Sequence, residues 1–142
     1  MSRPTAEPIG LQLARTAKTV NRAFDDALSE AGGSVPTWLI VLALKRQAWA
    51  NQRELAAAVG IEGATLTHHL NGLERAGLVT RRRDPANRRL QRVELTADGD
   101  AAFRRMRKAA VGFDARLHGI LGDGEVDQLR ELLQRLDAEV RG

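Results

Sequence analysis

Three stretches of this 142-residue chain place apolar residues at steps of three and four: Ile9, Leu13, Ala17, Val20, Phe24, Leu28; then Phe103, Met106, Ala110, Phe113, Leu117, Ile120; then Val126, Leu129, Leu133, Leu136, Val140. At about 100° per residue such spacing gathers the apolar side chains into one stripe along a helix, and a stripe must be covered. The second and third sets keep a 3-4 alternation, the spacing of helices that pack lengthwise on other helices. Three long amphipathic helices at the two ends of a short chain present more apolar surface than the segment between them can cover. The expectation is therefore a dimer in which the terminal helices bury one another, with Ile9, Leu13, Phe113, Leu117, Leu129, Leu133 and Leu136 in the seam.

Composition narrows the classes further. Cysteine is absent, which excludes a disulfide scaffold, a cysteine-based zinc finger and a thiol redox sensor. Tyrosine is also absent and aromatics make up 4%, so the core is mostly Leu, Ala and Val, a composition that favours helices. No apolar run approaches the roughly 18 residues of a membrane span, and residues 1–8 lack the basic start and apolar stretch of a secretory signal. A cytoplasmic protein without membrane attachment is expected, with residues 1–8 disordered and 9–142 forming a single domain.

Between the long helices the punctuation is dense. Ala31-Gly32-Gly33 closes the first helix, and Ser34 with Pro36 reads as the cap and first turn of a second. Residues 38–44 (Trp-Leu-Ile-Val-Leu-Ala-Leu) are apolar all round, which suits a short helix at the centre of the domain, although Ile40 and Val41 also suit a strand. Asn51 with Glu54 three residues on resembles a capping box for a third helix. Gly60-Ile61 makes a turn, and Leu66, Leu70 and Leu73 mark the buried stripe of a fourth helix ending at Ala76-Gly77. Two short helices joined by a glycine turn form a helix-turn-helix pattern. Two strand-like runs follow, 78–82 and 90–95, joined by Asp84-Pro85-Ala86-Asn87, which has turn chemistry. Thr96 then caps the fifth helix, and Asp123-Gly124 is expected to break it from the sixth.

Charge concentrates on the hairpin. The chain carries +4, yet the 18 residues from Arg75 to Arg92 hold seven arginines and one aspartate, a local +6 that leaves −2 for the rest. Every base there is Arg, whose planar fork suits phosphate oxygens and guanine edges. A solvated charged face is the plain alternative to a nucleic-acid footprint.

Order and motifs together resemble the MarR family of bacterial transcription regulators. The resemblance runs from Leu11 to Arg141 and is most specific in Leu73-Glu74-Arg75-Ala76-Gly77-Leu78-Val79, in the stretch from Arg82 to Arg89, and in Glu94-Leu95-Thr96-Ala97-Asp98-Gly99. It implies a mainly α fold with a small β-hairpin: a winged helix-turn-helix (34–96) flanked by dimerisation helices (9–31 and 97–142). It also implies a homodimer on pseudo-palindromic double-stranded DNA, usually a repressor, released by a small aromatic or phenolic effector. With Leu66, Leu70 and Leu73 inward, the fourth helix turns Ala64, Thr67, His68, Asn71 and Arg75 outward with Thr65 on the flank, facing a major groove. Asn71 is of a type that pairs with adenine, and Arg75 suits a phosphate. The wing supplies Arg81, Arg82, Arg83, Asp84, Arg88 and Arg89. Its tip, with Arg88 and Arg89, is narrow and cationic enough for a minor groove, and the resemblance makes Asp84 the residue that braces one of its arginines.

The chain departs from the family where Ser-Thr-Val-Thr-Arg-Leu is common and Ala64-Thr65-Leu66-Thr67-His68-His69 stands instead. A histidine thus replaces the usual groove-facing arginine, so operator preferences do not transfer. Protonation of His68 and His69 near pH 6.5 would make a switch; two neutral hydrogen-bonding residues are the plainer reading. Trp38 and Trp49 are candidates to line an effector pocket, with a core role weighing more for Trp38. The three histidines have no metal-ligand spacing, no nucleophile-base pair or phosphate-cradling glycine motif occurs, and neither catalysis nor a cofactor is expected. The readings that compete with a sequence-specific regulator are an architectural DNA-binding protein and a winged-helix module for a protein partner.

Overall fold

The structure, a computed structural model, describes residues 6–47, 49, 51–87 and 91–142. The described elements are α1 (Ile9–Glu30), α2 (Val35–Arg46), α3 (Gln52–Val59), α4 (Gly63–Arg75), β1 (Val79–Arg83), β2 (Gln91–Leu95), α5 (Ala97–Leu121) and α6 (Asp123–Arg141). The strands form one antiparallel hairpin, with Val79 opposite Leu95 and Arg81 opposite Val93. Helix starts follow the capping chemistry expected. Ser34 Oγ accepts from Thr37 N, Asn51 Oδ1 from Glu54 N and Thr96 Oγ1 from Gly99 N. The α5–α6 break falls at Gly122, one residue earlier than expected, and Gly124 lies inside the first turn of α6. There Val126 N bonds Gly122 O at 3.0 Å, so the α-helical ladder takes up residues 123 and 124.

Two apolar clusters organise the described chain. One gathers Ile40, Leu55, Leu66, Leu70, Leu73, Val79 and Val93 beneath the helix-turn-helix and the hairpin. The other packs Leu28, Trp38 and Val41 against Ala102, Phe103 and Met106 of α5. Helix α2 contributes to both, which explains an apolar run with no polar face: it lies between two cores and resolves as a helix. Trp38 is buried and stacks on Phe103 with ring centroids 5.6 Å apart, and Phe24 stacks on Phe113 at 5.1 Å. Trp49 is half-buried and donates its indole N–H to Ala43 O at 2.9 Å. Both tryptophans are therefore engaged in packing.

The two clusters meet at one crossing. Leu78 and Leu95 are packed against both. At the same place Thr96 N donates to Leu78 O at 3.0 Å, while the Thr96 hydroxyl donates to Gly77 O at 2.6 Å and caps α5. The α4–β1 turn closes as a double bond pair, Leu78 N to Leu73 O and Gly77 N to Glu74 O, with Gly77 at φ 75°. Helix α5 passes so close that a Cβ on Gly99 would lie 2.0 Å from Leu78 O.

The outer helices keep their stripes uncovered. No residue of α6 is buried, and Leu129, Leu132, Leu133 and Leu136 are 42–46% exposed. With Ile9 and Leu13 of α1 they line an apolar groove of about 420 Å³. Phe113 and Leu117 are half-buried, whereas Ile120 is exposed. Among the described residues no single helix is long and apolar enough to cross a membrane.

Gly99→Ala should destabilise the fold by about 1–3 kcal/mol, the usual cost of forcing carbon into a packed contact. Urea unfolding of the variant checks this, and an unchanged midpoint would contradict the close approach at Leu78.

Candidate nucleic-acid interface

Helix α4 is amphipathic with a clean division. Leu66, Leu70 and Leu73 are buried, and Ala64, Thr65, His68, Asn71 and Arg75 are exposed. Thr67 is half-buried. Its hydroxyl donates to Gly63 O at 3.0 Å, and Gln52 Nε2 on α3 approaches it at 3.4 Å. Gln52 Oε1 is a buried acceptor without a hydrogen-bond partner among the described residues. His69 is half-buried, with its ring edge-on to the exposed ring of His68, 5.6 Å between centroids.

The hairpin lies beside this helix, and the period of two along its strands decides what each arginine does. Arg81 shares a face with Val79 and stands opposite Val93, the two buried valines, so its side chain leaves the strand on the core side. It reaches α4 instead of the hairpin tip. There Nε and Nη2 bond the two oxygens of Glu74 at 3.3 and 3.2 Å, and Nη2 also donates to Asn71 Oδ1 at 2.5 Å. Its side chain is only 16% exposed. The hydrogen bonds from Arg81, followed by its charge, hold the Glu74 carboxyl below the ordinary carboxylate range. Arg75 lies on the other side of Asn71, with Nε donating to the Asn71 main-chain oxygen at 3.4 Å.

Arg82 and Arg83 are exposed and make no ion pair among the described residues. Arg82 stands directly opposite Arg92, a like-charge pairing that needs relief. Asp84 supplies it: Oδ2 takes Arg92 Nε at 3.3 Å and Nη2 at 3.2 Å, while Oδ1 accepts from Ala86 N at 2.8 Å and closes the turn. The expectation that Asp84 braces an arginine of the tip meets Arg92, at the start of β2. Arg88 and Arg89 lie outside the described residues.

Residue type alone placed Arg81 among the outward wing arginines and left Arg92 and Glu74 without a role. The signal that could have found them was the strand alternation: Val79, Arg81 and Val93 read on one face, with Glu74 one helical turn before Leu78.

The comparisons agree with this architecture. Residues 34–90 match the MarR family. The chain belongs to that family. It is 27% identical, at a TM-score of 0.86, to the transcriptional repressor CouR solved on a 23-mer DNA duplex, with 96% of this chain and 99% of that one covered. CouR of Rhodococcus jostii RHA1 bound to p-coumaroyl-CoA is 28% identical, with 95% of each chain covered and a TM-score of 0.77. The Mycobacterium tuberculosis regulator MosR in complex with DNA is also 28% identical, covering 96% of this chain and all of that one, at 0.73.

A backbone N–H from Ala86, then the charge and hydrogen bonds of Arg92, hold the Asp84 carboxyl below its ordinary value. A carboxylate depressed by folding contributes stability that is complete above its unfolded value near pH 4 and is lost as pH falls through the folded value. Asp84→Asn should therefore lower the melting temperature at pH 7, and the gap to wild type should close as pH falls toward 3. Thermal melts across that range check it; a gap independent of pH would mean that the charge of Asp84 contributes nothing.

Proposed function

We propose that this MarR-family chain is a dimeric, sequence-specific DNA-binding transcription regulator, a repressor released by a small ligand and acting in the cytoplasm by binding rather than catalysis. The observation that carries this is the exposed polar stripe of α4, set opposite its three buried leucines and beside an arginine-bearing hairpin. In this reading α4 enters a major groove, where Thr65, His68 and Asn71 meet base edges or phosphates and Arg75 meets a phosphate. Arg82, Arg83, Arg88 and Arg89 supply cationic contact from the wing, the last two in the adjacent minor groove. Asp84 shapes the wing through Arg92.

The dimer is supported by the uncovered stripe of α6 and the groove it shares with Ile9 and Leu13. Phe113 and Leu117 of α5 extend the same seam. A second copy of these helices has the matching chemistry, and two-fold symmetry sets two half-sites about 34 Å apart. The CouR complexes with a DNA duplex and with p-coumaroyl-CoA support both DNA binding and release by a small ligand.

The test is affinity for the chain's own promoter DNA against random duplex of equal length, at two salt concentrations. A ratio of about 10³ or more is expected; equal affinity would favour an architectural protein, and no binding would favour a protein partner. Replacing Arg88 and Arg89 together by Ala should weaken binding to every sequence and flatten the salt dependence by about 2 in log–log slope. Leu133→Asp with Leu136→Asp should give a monomer by sedimentation and reduce promoter affinity at least about a hundredfold, since each monomer then holds a single half-site. A double variant that remains dimeric would remove α6 from the interface.

A further inference from the structure

Asn71 and Arg81 meet in a way that determines how this helix can read a base. A guanidinium has only donors, so the amide atom facing Arg81 Nη2 must be Oδ1, and Nδ2 is the pole turned away from it. Arg81 is itself held at two points by Glu74, one turn along α4 from Asn71. The three side chains, with Arg75, border a cleft of about 330 Å³ between α4 and β1. Asn71 is exposed there, whereas Arg81 is mostly covered.

An asparagine that pairs two-handed with adenine needs both poles, Oδ1 to accept from N6 and Nδ2 to donate to N7. Here Oδ1 is already engaged within the protein. What remains is a pair of amide hydrogens, which suit an edge made only of acceptors. Guanine presents such an edge, N7 beside O6.

We propose that Arg81 is a positioning residue that sets base specificity: clamped by Glu74, it holds Asn71 with its donor pole toward the groove, so that Asn71 favours guanine over adenine. Arg81 in this arrangement contacts no phosphate. The wing and the recognition helix are then one unit, because a strand residue orients a helix residue. This rests on the DNA-binding reading above.

The experiment uses the full-length dimer and a duplex selected from a random library, on the order of 25 base pairs, long enough for two half-sites one turn apart. Each base pair is then varied singly for wild type, Asn71→Ala, Arg81→Ala, the double variant and Glu74→Gln, with salt dependence recorded. Wild type should favour guanine at one position per half-site by at least about tenfold. Asn71→Ala and Arg81→Ala should each remove that preference at that same position, with the double variant no worse than either and the salt slope unchanged. Glu74→Gln, which keeps every packed atom and leaves Arg81 in place, should weaken the same preference, and it carries the test if Arg81→Ala does not fold.

Adenine at the position that Asn71→Ala affects would overturn the proposal. So would a salt slope lowered by about 1 in Arg81→Ala with base preference intact, the mark of a lost phosphate contact, or additive losses in the double variant. Absence of any base preference in wild type would sink the regulator reading together with this one; a preference that ignores Arg81 and Glu74 would sink this one alone.

Discussion

The close crossing of α5 over the α4–β1 turn is the constraint on which the rest depends. Leu78 O accepts from Thr96 N, the Thr96 hydroxyl reaches Gly77 O, and Gly99 leaves room for the two backbones to approach. Because Leu78 and Leu95 pack into both apolar clusters, this crossing joins the core beneath the helix-turn-helix to the core beneath the long helices. A shift of α5 cannot be absorbed by a loop there, since no loop separates β2 from α5: Leu95 ends the strand and Thr96 caps the helix. Displacement of the outer helices is passed directly to the hairpin and to α4. That is the mechanical arrangement a ligand-released DNA-binding protein needs, because packed interiors transmit strain instead of yielding to it.

Around that crossing, polar contacts divide into those that shape and those that present. Arg81 with Glu74, Arg92 with Asp84, and Lys45 with Asp100 are internal fastenings, joining hairpin to helix, strand to turn, and α2 to α5. Each holds its carboxylate below the ordinary range through a hydrogen bond and a neighbouring cation or backbone N–H. In solvent such pairs contribute little to stability. Their value here lies in orientation: Arg82, Arg83, His68 and Arg75 remain exposed because their neighbours are engaged elsewhere.

Much of the fold was legible in the residues. The stripes of α1, α5 and α6, the caps at Ser34, Asn51 and Thr96, and the turn chemistry at Asp84 are all local signals, set within one or two helical turns by periodicity and hydrogen-bonding type. The ambiguous stretch was 38–44, since a segment buried on every side loses its periodic signature and only its two neighbouring cores decide that it is helical. The roles within the wing were less legible. Seven arginines in 18 residues look equivalent as a composition, yet Arg81 turns inward beside Val93 and Arg82 outward beside Arg92.

By itself, then, the sequence determined the kind and order of the elements, the inward leucines of α4, the concentration of positive charge on the hairpin and the apolar stripe that α6 leaves for a partner. These follow from short-range periodicity and residue chemistry, which need no knowledge of what lies across the fold. Only the tertiary structure decided that Asp84 takes Arg92, that Glu74 takes Arg81 and that Asn71 gives its oxygen to Arg81. Those pairings depend on strand register and on where the hairpin lies against α4, and register is a long-range property set by which residues the two cores can bury.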